Sequence, residues 1–254
     1  MTGWQLAFLF VAGIGGGLTG SIAGLASLVS YPALLAVGLP PVVANVTNTV
    51  AMIGTTAGSV AGSRPELRGQ GPVLLRLCAL TAVGGAAGGA LLLVTPSDAF
   101  EAIVPWLIAL ASVLLVVAPR LRAWATRHAA ETAPATRLGP LTLVAAFGVA
   151  LYGGYFGAAA GVMMLALLSV SWSQSLARSN AAKNVASGAA NIVAAVVFAI
   201  VAPVHWAAVG ALAAGLLIGS RIGPALVRRV PATPLRLAIG LAGLGLAASL
   251  WFGR

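Results

Sequence analysis

The sequence predicts an all-α polytopic membrane protein, with about eight transmembrane segments in two repeated, inverted halves whose leading helices are broken by glycine. Three observations predict it. Charged residues make up 7% of the 254 residues against 60% hydrophobic, and mean hydropathy is +1.03. A soluble domain carries about a quarter charged residues, so this chain cannot cover a globule with polar surface. Apolar runs of about 20 residues, the length a helix needs to cross the hydrocarbon core, follow one another along the chain. Finally, one glycine spacing occurs twice in matching places.

The apolar runs are 4–39, 41–62, 73–94, 99–119, 141–170, 176–201, 204–227 and 235–252. The first opens without Lys or Arg in residues 1–5, so it reads as a retained helix rather than a signal peptide. At 36 residues it is too long for one plain helix, and Gly13, Gly15, Gly16, Gly17, Gly20 and Gly24 interrupt it. The fifth run has the same character. Gly16-Gly17-x-x-Gly20-x-x-x-Gly24 matches Gly153-Gly154-x-x-Gly157-x-x-x-Gly161, and Gly84-x-x-x-Gly88 matches Gly215-x-x-x-Gly219 in the third segment of each half. Small-residue helix packing accounts for the second match by itself. Adjacent glycines in the first and fifth runs weaken the helix and invite a break. The only sizeable polar stretch, 120–140, divides the chain into a first repeat at 4–119, a cytoplasmic linker at 120–140 and a second repeat at 141–253.

Charge gives the orientation. The gap 63–71 carries Arg64 and Arg68 with Arg76 beyond, 95–101 carries Asp98 and Glu101, and 120–137 is basic again. Basic gaps mark the cytoplasmic side. In the second half the pattern reverses: the gap at Pro203 is free of Lys and Arg, and the next carries Arg228, Arg229 and Arg236. Equivalent loops on opposite sides are the mark of an inverted repeat. That arrangement needs an odd number of crossings per half. It is met if each glycine-rich run is two pieces, a hairpin or a pair of half-helices lining a cavity. Gly20–Ser21 and Gly157–Ala158 are the expected half-helix starts. The net charge of +10 sits in these gaps rather than in a surface stripe, so nucleic acid is not an expected partner.

Polar groups inside the apolar runs are few. Asn45, Thr47, Asn48, Thr49, Thr55, Thr56 and Ser59 follow the first break; Arg178, Ser179, Asn180, Lys183, Asn184, Ser187 and Asn191 follow the second. Lys183 is the only lysine in the sequence, and no carboxylate lies in its apolar run. An intramembrane cation costs about 2.5–3.5 kcal/mol on insertion scales and usually has a partner or a task. A lysine among amides and hydroxyls suits a mobile anion; the alternative is a snorkelling side chain with its ammonium in the headgroups. The N-terminus of a half-helix adds unpaired N–H groups and a positive dipole end. The expected substrate-binding residues are therefore Lys183, Asn180, Asn184, Thr47, Asn48, Asn45, Gly20, Ser21, Gly157 and Ala158. The four carboxylates (Glu66, Asp98, Glu101, Glu131) and both histidines (His128, His205) lie in or beside gaps, and Cys78 is alone. No metal site, cofactor or enzymatic activity is expected.

Taken in order, these residues resemble the sulfite exporter TauE/SafE family of membrane permeases. The resemblance covers nearly the whole chain. It rests on Gly15-Gly16-Gly17-x-x-Gly20-x-x-x-Gly24, Pro32-Ala33-Leu34-Leu35, Gly38-Leu39-Pro40-Pro41-x-x-Ala44 and Thr47. In the second half it rests on Gly153-Gly154-x-x-Gly157-x-x-x-Gly161, Asn180-Ala181-x-Lys183-Asn184 and Pro203-x-x-Trp206 before Gly210. The sequence departs from the family pattern at Leu25-Ala26-Ser27 and Ala158–Ala160, where glycines are common. The resemblance implies a secondary transporter in the inner (cytoplasmic) membrane for a small sulfur-containing anion such as sulfite or an organosulfonate. The rivals are an uptake permease or channel for another small anion, and a membrane assembly or accessory protein without flux. The expected partners are that anion and the lipid bilayer, with a homodimer left open.

Overall fold

A computed structural model describes residues 1–131, 138–172 and 174–227, with a few isolated positions between 241 and 251. Its elements are α1 (Gly3–Ala23), α2 (Ser27–Ala36), α3 (Pro41–Ala51), α4 (Ile53–Gly62), α5 (Arg64–Leu67), α6 (Gly71–Val94), α7 (Ser97–Glu131), α8 (Pro140–Tyr155), α9 (Ala160–Ser171), α10 (Leu176–Val201) and α11 (Trp206–Val227). No strand occurs among the described residues. Among the described residues, five helical stretches are long and apolar enough to cross a membrane: Gly3–Ile22, Gly71–Val94, Ser97–Leu114, Leu176–Val201 and Trp206–Gly223. The expected eight are not all matched, because the run 41–62 divides into α3 and α4 and the run 141–170 into α8 and α9, each too short to cross alone. The eighth run, 235–252, and its arginine gap lie largely outside the described residues. Helix α7 continues to Glu131, so much of 120–140 is helical.

The two odd runs are hairpins. In the first, Gly24 adopts a left-handed conformation, φ +76°, and ends α1 with its N–H bonded to the Gly20 carbonyl at 2.8 Å. The chain then folds back. A Cβ on Gly20 would collide with Ala26, and one on Gly16 would press on Ala26 and Ser30, so α2 lies on the glycine face of α1. At the open end, Gln5 Nε2 donates to the Val37 carbonyl at 3.3 Å. The second hairpin, α8–α9, turns through Gly157 (φ +79°) and Ala159 (φ +60°).

Helix α1 therefore does not break at Gly20–Ser21, contrary to expectation; it runs on to Ala23, and the reversal comes at Gly24. The earlier glycines serve close approach instead. A Cβ at Gly13 or Gly17 would meet the backbone of α11 at Leu212 and Leu216. In the same way Gly84 and Gly88 of α6 admit the backbone of α8 at Phe147 and Leu151. Each half thus lends its leading helix to the other half's third segment, α1 to α11 and α8 to α6.

These contacts also fix direction. Position numbers rise together along α1 and α11, along α4 and α11 (Gly54 with Ala213, Gly58 with Leu217), along α6 and α8, and along α6 and α10 (Gly85 with Ala190, Gly89 with Ala194). The base of the α1–α2 hairpin therefore shares one end of the bundle with Asp98 and Pro203. The base of the α8–α9 hairpin lies at the other end, with exposed Arg64, Arg68, Arg76, Arg178 and Arg221. The hairpins point at each other from opposite ends. Their turns touch, since a Cβ on Gly24 would overlap the backbone of Gly161, and one on Gly161 would come within 2.6 Å of the Gly24 Cα.

Candidate functional site

Where the two turns meet, the packing leaves a partly open cavity. Gly20, Gly24, Ala26 and Ser27 of the first hairpin line it, as do Gly157, Ala160 and Gly161 of the second. One wall is polar, formed by Thr49, Thr55, Thr56 and Ser59 with Asn184, Ser187 and Asn191. The facing wall is apolar: Val149, Ala150, Phe156 and Met164. Phe156 continues into an aromatic group, with Tyr31 edge-on at 5.2 Å and Phe100 at 6.2 Å.

Both short helices, α2 and α9, start at this cavity. Neither N-cap, Ala26 or Ala159, supplies a side-chain hydrogen bond to the first turn. Backbone carbonyls of the turns take most of the first-turn N–H groups (Leu28 to Leu25 and Val29 to Ala26 in α2, Ala160 to Gly157 and Val162 to Ala159 in α9), which leaves Ser27 N–H and Gly161 N–H without an acceptor among the described residues, and the positive dipole ends of both helices point at the same space. Such an arrangement favours negative charge without any cationic side chain.

Lys183 lines the cavity and is 1% exposed. Its ammonium donates to the Gly20 carbonyl at 3.3 Å, the carbonyl that also accepts from Gly24 N–H. The cation thus sits at the C-terminal turn of α1, where carbonyls and the negative dipole end favour it. Its side chain is buried within the protein rather than extended to the surface. Asn184, 6% exposed, lines the same cavity, and its Nδ2 has no hydrogen-bond partner among the described residues.

Of the ten residues singled out from sequence, Lys183, Asn184, Gly20 and Gly157 come together around the cavity. The other six make hydrogen bonds within the fold, most of them to backbone groups. Asn180 Nδ2 donates to the Ser21 carbonyl at 3.2 Å, and Ser21 Oγ to the Leu18 carbonyl at 3.2 Å. The Ala158 carbonyl accepts from Tyr152 Oη at 2.8 Å. Asn45 Nδ2 donates to the Tyr155 carbonyl at 2.8 Å, just before the second turn. Thr47 Oγ1 accepts from His205 N–H at 3.1 Å. Asn48 Nδ2 donates to Ser27 Oγ at 3.2 Å. Sequence reasoning noted Thr49, Thr55, Thr56, Ser59, Ser187 and Asn191 as intramembrane polar groups without selecting them. It passed over Ser27, whose signal was its place three residues beyond Gly24.

The profile of the family described as "Sulfite exporter TauE/SafE" matches residues 9–250. The chain belongs to the sulfite exporter TauE/SafE family. Two curated relatives are similar. "Probable membrane transporter protein ORF9" of Sinorhizobium sp is 30% identical over 164 residues, covering 61% of this chain and 58% of that protein. "Probable membrane transporter protein YfcA" of Escherichia coli K12 is 26% identical over 224 residues, covering 87% and 80%. The chain thus spans under two thirds of the first relative's length. No solved structure matches. This TauE/SafE member is a multi-pass membrane protein, in keeping with the five helical stretches among the described residues that are long and apolar enough to cross a membrane.

Proposed function

We propose that this protein is a secondary transporter carrying a small sulfur-containing anion, sulfite or an organosulfonate, across the cytoplasmic membrane, with the basic end of the bundle in the cytoplasm. The observation that carries the reading is the cavity itself: two uncapped helix N-termini from opposite hairpins, with Lys183 and Asn184 on its wall. Dipole ends, an ammonium and a spare amide N–H together replace the hydration an oxyanion loses on leaving water. The family membership and the relatives' printed descriptions support transport, and the family's own description supports the sulfur oxyanion.

The hairpins enter from opposite ends and meet at their turns beside the cavity, with Tyr31 of α2 packed on Phe156 of the second turn, an arrangement that suits alternating access around a central site. A monovalent anion leaving a cell gains about 2.3 kcal/mol per 100 mV of membrane potential, so export needs no proton carrier in the bundle. The test is flux of radiolabelled sulfite and sulfoacetate in proteoliposomes of the purified protein, with and without an imposed potential. Saturable flux that follows the potential is the expected result. Absence of flux for both anions would overturn the reading and leave the architecture untouched.

A further inference from the structure

We infer that Ser27 is a ligand of the transported anion and that Asn48 is the positioning residue that aims its hydroxyl into the cavity; the inference rests on the transport reading above. Asn48 is 1% exposed, with both ends of its amide engaged on α2. Ser30 Oγ donates to Asn48 Oδ1 at 2.5 Å, and Asn48 Nδ2 donates to Ser27 Oγ at 3.2 Å. Ser30 Oγ also has the Ala26 carbonyl within reach at 3.0 Å, but the shorter contact, which fits O–H···O and is too short for N–H···O, takes its single proton, so the Asn48 carbonyl faces Ser30 and the NH2 group faces Ser27. Ser27 Oγ is then an acceptor from Asn48, and its single proton remains to be donated elsewhere. Among the described residues it donates to none.

Ser27 is the first residue of α2, 6% exposed, and it lines the cavity. Its hydroxyl therefore adds a directed donor to the uncapped first turn. A second, independent group points to the same ligand chemistry. Asn184, on α10 and equally buried, offers an unpartnered Nδ2 to the same space. Two buried donors without acceptors, beside a helix N-terminus, describe a site for oxygen atoms carrying negative charge. The corresponding position of the other hairpin, the first residue of α9, is Ala160, which also lines the cavity but has no donor, with Met164 one turn further along. The oxyanion group is thereby directed to the α2 side, and the remainder of the substrate to Met164 and the apolar wall.

The experiment compares KM and Vmax for sulfoacetate flux in proteoliposomes of wild type, Ser27→Ala, Ser27→Thr and Asn48→Ala. Loss of a hydrogen bond to a charged group predicts that Ser27→Ala raises KM about tenfold to a hundredfold with Vmax little changed. Ser27→Thr keeps the donor and should restore KM. Asn48→Ala should raise KM in the same direction, and the Ser27→Ala/Asn48→Ala pair should be no worse than the larger single effect. Should Ser27→Ala fail to fold, isosteric Ser27→Cys in a Cys78→Ala background provides the second readout: sulfoacetate should slow its modification by a maleimide, and an unchanged rate counts against the inference. Saturable wild-type flux with an unaltered KM in Ser27→Ala would overturn the inference alone. Absence of wild-type flux would sink the transport reading and this inference with it.

Discussion

The contact between the two hairpin turns can be measured with three glycine-to-alanine substitutions that separate its components. Gly38 adopts φ +91° with nothing within 4 Å of an added Cβ, so Gly38→Ala carries the left-handed backbone penalty alone, about 1–2 kcal/mol. Gly161 does not have a positive φ, but its Cβ would come within 2.6 Å of Gly24 Cα; Gly161→Ala carries the steric part, about 1–3 kcal/mol for overpacking a close contact. Gly24 combines both, at φ +76° with its Cβ overlapping Gly161 backbone that cannot rotate aside. Gly24→Ala is thus expected to destabilise by about 2–5 kcal/mol. The assay is unfolding of the purified protein by titration with sodium dodecyl sulfate, read by tryptophan fluorescence. The order of loss should be Gly24→Ala, then Gly161→Ala and Gly38→Ala. A Gly24→Ala protein no less stable than Gly38→Ala would mean that the turns do not meet, and the cavity between them would lose its frame.

Three further outcomes follow from the same geometry. Lys183→Met should insert and purify as a folded protein but lose anion flux by more than about tenfold, since it removes the one side-chain charge that lines the cavity among the described residues; flux at the wild-type rate would restrict the lysine to a structural role at the end of α1. Ala159→Gly removes a left-handed conformation from a residue with a Cβ and should stabilise by about 0.5–1 kcal/mol in the same detergent titration, with a loss of stability arguing against that turn geometry. In a Cys78→Ala background, Gly69→Cys should react with a membrane-impermeant maleimide only after the cytoplasmic face is opened, and Ser97→Cys in intact cells; the reverse pattern would invert the assigned orientation.

The glycine spacing made the paired breaks legible, because adjacent glycines in an apolar run have few other uses. It did not locate the reversal. Gly13, Gly17 and Gly24 read alike in sequence, yet the first two stay helical and admit the α11 backbone while the third alone turns left-handed. What distinguishes them is the partner helix, drawn from the other half of the chain. The polar residues divide for a related reason. Folding a chain back inside apolar surroundings exposes backbone carbonyls and N–H groups that neither helix can satisfy, and each must find a partner within the protein. Asn45 bonds the Tyr155 carbonyl, Asn180 the Ser21 carbonyl, and Thr47 the His205 N–H, each bridging parts of the chain more than a hundred residues apart. Sequence shows that these donors and acceptors exist but not which backbone groups the reversal leaves unpaired. The groups left over once the reversals are bonded are therefore the better guide to a ligand. On that criterion the donors of Asn184 and Ser27 mark an anion site more sharply than the asparagine cluster of α3, whose amide N–H groups already have partners in the fold.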